Sequence, residues 1–134
     1  MNRLFLALIF VCSSWLTATA AEKANTVVVH LGEVIYARFE QKGTKIKLLA
    51  TSKTKDEAAQ VVMSLQREEK KPGLILKVEN HFTRDLLYKV EMRSLTRKQR
   101  FPAPSSPVVA GKVALESFPP VVEEIAAFGF ALEK

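Results

Sequence analysis

From residue 74 onward the chain alternates apolar and polar side chains with a period of two. Leu74, Leu76 and Val78 share one parity, and Ile75, Lys77 and Glu79 the other. After a polar turn at 80–85 the pattern resumes, with Leu86, Tyr88, Val90 and Met92 set against Leu87, Lys89, Glu91 and Arg93. Successive side chains of a strand point to opposite faces, so this pattern builds two antiparallel strands with one buried face each. A slip of one residue would turn Leu86, Tyr88 and Val90 to water, which pins the register.

The same period governs the chain upstream. Val27, Val29 and Leu31 alternate with Val28 and His30, and Val34, Tyr36 and Arg38 with Ile35, Ala37 and Phe39. These runs are rich in β-branched and aromatic residues, as strands prefer. A turn at 41–44 leads into a return strand through Ile46, Leu48 and Ala50. Residues 56–69 admit two readings. Thr54 with Glu57 resembles a helix capping box, and Ala58, Val61, Val62 and Leu65 would share a helical face. Yet Val61, Met63 and Leu65 also alternate, and the β-rich neighbours favour a strand over 60–68. Lys70-Lys71-Pro72-Gly73 is a turn.

Beyond residue 95 the composition shifts. Residues 96–107 hold Arg97, Lys98, Arg100 and three prolines, which predicts a long polar loop, the core of a basic, proline-stiffened stretch over 96–112. Val113 to Phe118 reads as a strand closed by Pro119-Pro120, and 125–132 as the last strand, with Phe128, Phe130 and Leu132 on one parity.

About seven short strands with turns between them predict an all-β fold, a two-sheet antiparallel sandwich. Alternatives are a small β-barrel, or an α+β fold if 56–69 is helical. The stretch Leu76-Lys77-Val78-Glu79-Asn80, with Leu87-Tyr88 and Met92, resembles the central strand pair of immunoglobulin-like domains in exported bacterial proteins. The segment from Glu116-Ser117-Phe118-Pro119-Pro120 to Phe128-Gly129-Phe130 is similar to their closing strand. The resemblance implies an immunoglobulin-like β-sandwich and no particular activity.

The N-terminus reads as an address. Met1-Asn2-Arg3 precedes nine consecutive apolar residues at 4–12, and Ala18-Thr19-Ala20 is a small-x-small site. This is the pattern of a secretory signal peptide over 1–20, with cleavage after Ala20, leaving one domain at 21–134. A periplasmic or secreted location is expected, with no stable membrane span after cleavage. The single Cys, Cys12, and the single Trp, Trp15, leave with the signal. The remaining domain has no disulfide and no thiolate, so packing alone must hold it.

Few residues suggest chemistry. After residue 20 the chain has two Asp, Asp56 and Asp85, and two His, His30 and His81. His81 and Asp85 are close in sequence, but no Gly-x-Ser-x-Gly elbow is present and Ser94 has no motif around it. A glycosidase could pair Glu116 with Glu123 or Glu124, but sequence spacing does not set their separation in space. No catalysis and no cofactor are expected. His81 and Met92, ten residues apart, are a weak Cu(I) ligand pair, but the downstream His-x-Met pair of periplasmic copper chaperones is absent. Met63 and Met92 lie on apolar parities, where Met fills the core.

Charge points elsewhere. Lys and Arg number 20 against 14 Asp and Glu, for a formal net charge of +6. The excess is local. Residues 84–112 hold seven cations and two carboxylates, whereas 113–134 hold four carboxylates and one cation. The acidic end is a natural complement to the basic loop, within one molecule or between copies. An exported protein rarely meets nucleic acid, so the expected partner is an envelope protein or an anionic surface polymer. Arg93, Arg97, Lys98, Arg100 and Phe101 are the expected partner-binding residues, and strand addition at a free sheet edge is a second route. A metal carrier and a cell-wall enzyme inhibitor are the alternatives.

Overall fold

The computed structural model describes residues 25–134. The signal peptide expected over 1–20 lies outside the described residues. Nine strands follow in order: β1 (Val27–His30), β2 (Val34–Lys42), β3 (Lys45–Ser52), β4 (Val61–Arg67), β5 (Leu74–Asn80), β6 (Leu86–Ser94), β7 (Phe101–Ala103), β8 (Val113–Phe118) and β9 (Val122–Leu132). All pairings are antiparallel. Among the described residues no helix is long and apolar enough to cross a membrane.

The structure corrects the expected two-sheet, immunoglobulin-like sandwich. The strands form one strongly curled sheet, a half-barrel, in the order β7-β6-β9-β3-β2-β4-β5-β8, with β1 also paired to β9. Alternation reports which face of a strand is buried but not what covers it. A sheet that curls on itself hides one face as effectively as a second sheet laid over it. Register shifts help the curl. One falls on the β2–β3 ladder at Arg38 and Phe39, where Leu49 of β3 is the extra residue, and two fall along the β6–β9 ladder. Such bulges bend a strand and increase its twist.

The two strands with the clearest alternation, β5 and β6, do not pair with each other. β5 pairs with β4 and β8, and β6 with β7 and β9, so they lie near opposite ends of the sheet. The connection at 81–85 crosses between the ends of the curl. Asn80 anchors it: its buried side-chain amide donates to the carbonyls of Arg84 and Val108, and its Oδ1 accepts from the Phe82 N–H.

The predicted parities mostly hold. Leu74, Leu76, Val78, Leu86, Tyr88 and Val90 face a single core together with Val27, Val29, Val61, Met63 and Leu65. Residues 61–67 form a central strand flanked by β2 and β5. Asp56 makes a single turn ahead of it, accepting from the Ala58 N–H and pairing with Arg38. Phe128 departs from its expected parity. Gly129, at φ 64°, supplies an extra residue opposite the Leu87–Lys89 stretch. Phe130 and Leu132 therefore turn inward, while Phe128 keeps the opposite side. Phe130 sits 5.1 Å from Phe39 and 6.3 Å from Tyr88, ring centre to ring centre.

The long loop is shorter than its composition suggested. β7 lies inside it and pairs with Val90 to Met92. The chain then follows β6: the Ser105 hydroxyl donates to the Tyr88 carbonyl, and Val108 forms an isolated bridge with Leu86.

Candidate functional site

The expected partner-binding residues all lie between the end of β6 and the start of β7, but they divide into two groups. Arg93 and Arg100 are engaged within the molecule. Glu124, on β9, stands directly across from His30 of β1 on one side and Arg93 of β6 on the other. Its carboxylate faces the outer surface, yet its side chain is only 3% exposed because cations cover it. Arg93 donates from Nη2 to Oε2, and Arg100 donates from Nη2 and Nε to Oε1. His30 Nε2 lies 3.4 Å from Oε2.

The cluster extends in both directions. Arg93 Nε is 3.4 Å from Glu123 Oε1. His30 Nδ1 lies 2.7 Å from Glu33 Oε1, and Lys53 Nζ 2.8 Å from Glu33 Oε2. Burial pushes the Glu124 carboxyl up, but the Arg100 hydrogen bonds and the charges of Arg100, Arg93 and His30 outweigh it and hold it below the usual range. The acidic end and the basic loop thus neutralise each other inside one molecule.

The second group faces outward. The Arg97 guanidinium stacks over the Phe101 ring, 5.1 Å from its centre, in cation–π geometry. Lys98 beside it is exposed and has no carboxylate within ion-pair distance among the described residues. Phe101 and Arg97 border a cleft of about 360 Å³ whose apolar walls are Met92, Pro119, Val121 and Val122. Next to it the Leu95 N–H donates to the Val121 carbonyl at 2.9 Å. This bond ties the β6–β7 loop to the β8–β9 turn and joins two residues whose apolar side chains are exposed: Leu95 at 68% and Val121 at 52%. The result is an apolar patch with a cationic rim, assembled from two loops distant in sequence. Leu95 and Val121 escaped sequence reasoning. Their proximity depends on β9 lying beside β6, and no local pattern reports that.

The remaining candidates are scattered. His81 is exposed at the start of the connection into β6, while Met92 packs against the core beside Phe101. Along β6 that is about 20 Å from Leu86 alone, at ~3.3 Å per residue, so the pair is not brought together. Met63 is fully buried in the core. Among the described residues no group of three or more His, Cys, Asp or Glu is placed to hold a metal. Asp85 accepts from the Ala110 N–H. Glu116 accepts from the Ser106 N–H on the side of β8 that carries Phe118, away from Glu124 on the outer face. Phe118 itself is in the core.

Comparison with family models, with curated proteins and with solved structures finds no match to this chain.

Proposed function

We propose that this chain is an exported, non-catalytic binding module that holds an anionic envelope partner, a protein surface or a surface polymer, at the β6–β7 end of the sheet. The observation that carries the reading is the apolar cleft of Met92, Pro119, Val121 and Val122 bordered by Arg97 and Phe101, beside which Leu95 is exposed and bonded through its backbone to Val121. Exposed apolar groups brought together by the fold mark interaction surfaces more often than isolated ones do. An aromatic ring under an arginine is a common anchor at interfaces. The N-terminal sequence supplies the compartment. Arg93 and Arg100 leave the contact set and become its support, because Glu124 already holds both.

The test is capture from a native envelope fraction across a salt series. It compares the unmodified protein, an Arg97→Glu/Lys98→Glu variant and a Leu95→Ser/Val121→Ser variant. The expected result is a partner retained by the unmodified protein, lost with either variant and eluted by rising salt. Equal capture by all three, or none by the unmodified protein at low salt, overturns the reading. Arg100 is left unchanged because its reversal would set a carboxylate against Glu124 and disturb the fold.

A further inference from the structure

The sheet ends in two unlike edges. β7 spans three residues and contains Pro102, with Pro104 just beyond, so its free side lacks donors. β8 is six residues long, pairs with β5 on one side only, and carries no Pro, Gly, Lys or Arg. Natural sheets usually guard such an edge with charge, proline or a bulge, and here the one such guard is the inward carboxylate of Glu116. Across the open side the described link is a side-chain one, the Ser106 N–H to the Glu116 carboxylate. Two of the three outward side chains of β8 are apolar and uncovered, Val113 at 49% and Leu115 at 65% exposure, and the third is Ser117.

A groove of about 670 Å³ opens beside this edge on the outer face, with Ile75 and Leu115 in its apolar part. The register sets Ser64, Lys77 and Leu115 in one row across β4, β5 and β8, and Gln66, Ile75 and Ser117 in the next. The rim is cationic: Arg67, Lys70, Lys71 and Lys77 outnumber Glu68 and Glu69 by four to two. Arg67 and Lys70 have no carboxylate within ion-pair distance among the described residues.

We infer that β8 receives an extended, acidic segment of a partner protein as an added antiparallel strand. Backbone hydrogen bonds along β8 would supply the pairing, and the alternating side chains the selection. Read in the incoming direction, an acidic residue lies opposite Ser117, near the cationic turn. Apolar residues lie opposite Leu115 and Val113. The intervening residues face the Glu116 side and must be uncharged. This surface is separate from the Leu95–Val121 patch and does not depend on it.

The probe is the synthetic peptide Glu-Thr-Glu-Thr-Val-Thr-Val-Thr, titrated into isotope-labelled protein while backbone amide shifts are followed. Saturable shifts confined to β8 and the 67–71 turn are expected. Replacing the peptide's Glu by Lys should weaken binding by about ten-fold or more, and so should Leu115→Glu or Lys70→Glu/Lys71→Glu in the protein. Both sites are exposed, so the amide spectrum itself verifies that each variant is folded. The inference is overturned if β8 amides do not respond, if the lysine peptide binds equally well, or if the shifts fall at Arg97 and Phe101. It is likewise overturned if β8 shifts with protein concentration alone, which would make a second copy the occupant.

Discussion

Arg100, in the loop ahead of β7, places its guanidinium over Glu124 in the interior of the sheet, so one carboxylate holds both the end of β6 and the entry to β7. Glu124→Gln keeps the shape but removes the charge that balances two arginines. The expected loss is on the order of 2 kcal/mol, the scale of a charge-assisted hydrogen-bond pair whose cations keep partial access to water. Urea denaturation measures it. Amide exchange at Phe101 and Ala103 should accelerate in the same variant, because β7 then loses its tether.

Acid should weaken the fold in a defined window. Glu33 is held at about 2 against an ordinary value of 4.5, first by the Lys53 hydrogen bond, then by the His30 backbone N–H. A carboxyl held low when folded contributes fully above its unfolded value, and that contribution fades as the pH falls toward the folded one. Stability should therefore be level above 4.5 and decline between 4.5 and about 2. Glu124, also held low, adds to the decline in the same direction. Thermal unfolding across this range checks it, and Glu33→Gln should show a shallower slope.

Tyr88 is buried, and among the described residues its hydroxyl has no hydrogen-bond partner. Burial, then the Glu116 charge, pushes its pKa up to about 12. A buried hydroxyl without a partner costs desolvation and returns nothing. Tyr88→Phe should thus be neutral or raise stability by up to about 1 kcal/mol. A clear loss would show that the hydroxyl is bonded after all.

Asn80 should behave in the opposite way. Its side chain serves the Arg84 and Val108 carbonyls and the Phe82 N–H at a buried site. Asn80→Ala leaves all three groups without these partners, so a loss of about 3 kcal/mol is expected. Hydrogen exchange at the Phe82 amide should report the local opening.

The strands were legible because burial writes a period of two into Leu74 to Val78 and Leu86 to Val90. Their order was not. β5 and β6 have matching patterns and a short connection, yet the connection crosses the curl instead of closing a hairpin. Phe128 departs from the parity of Phe130 and Leu132 because one glycine, Gly129, shifts the register. An isolated glycine inside an alternating run was the available signal. The complementarity between basic loop and acidic end was readable as charge. Its consequence, that Arg93 and Arg100 are occupied while Arg97 and Lys98 are not, depends on which strand lies across from Glu124. Only the assembled sheet decides that.

β9 comes last among the described strands and lies inside the sheet, with β6 on one side and β1 and β3 on the other. Without it β6 and β7 pair only with each other, and β1 has no ladder partner. The ladders other than those of β9 make a five-strand fragment, a detached hairpin and a lone β1, so these three pieces belong to one sheet through residues 122–132 alone.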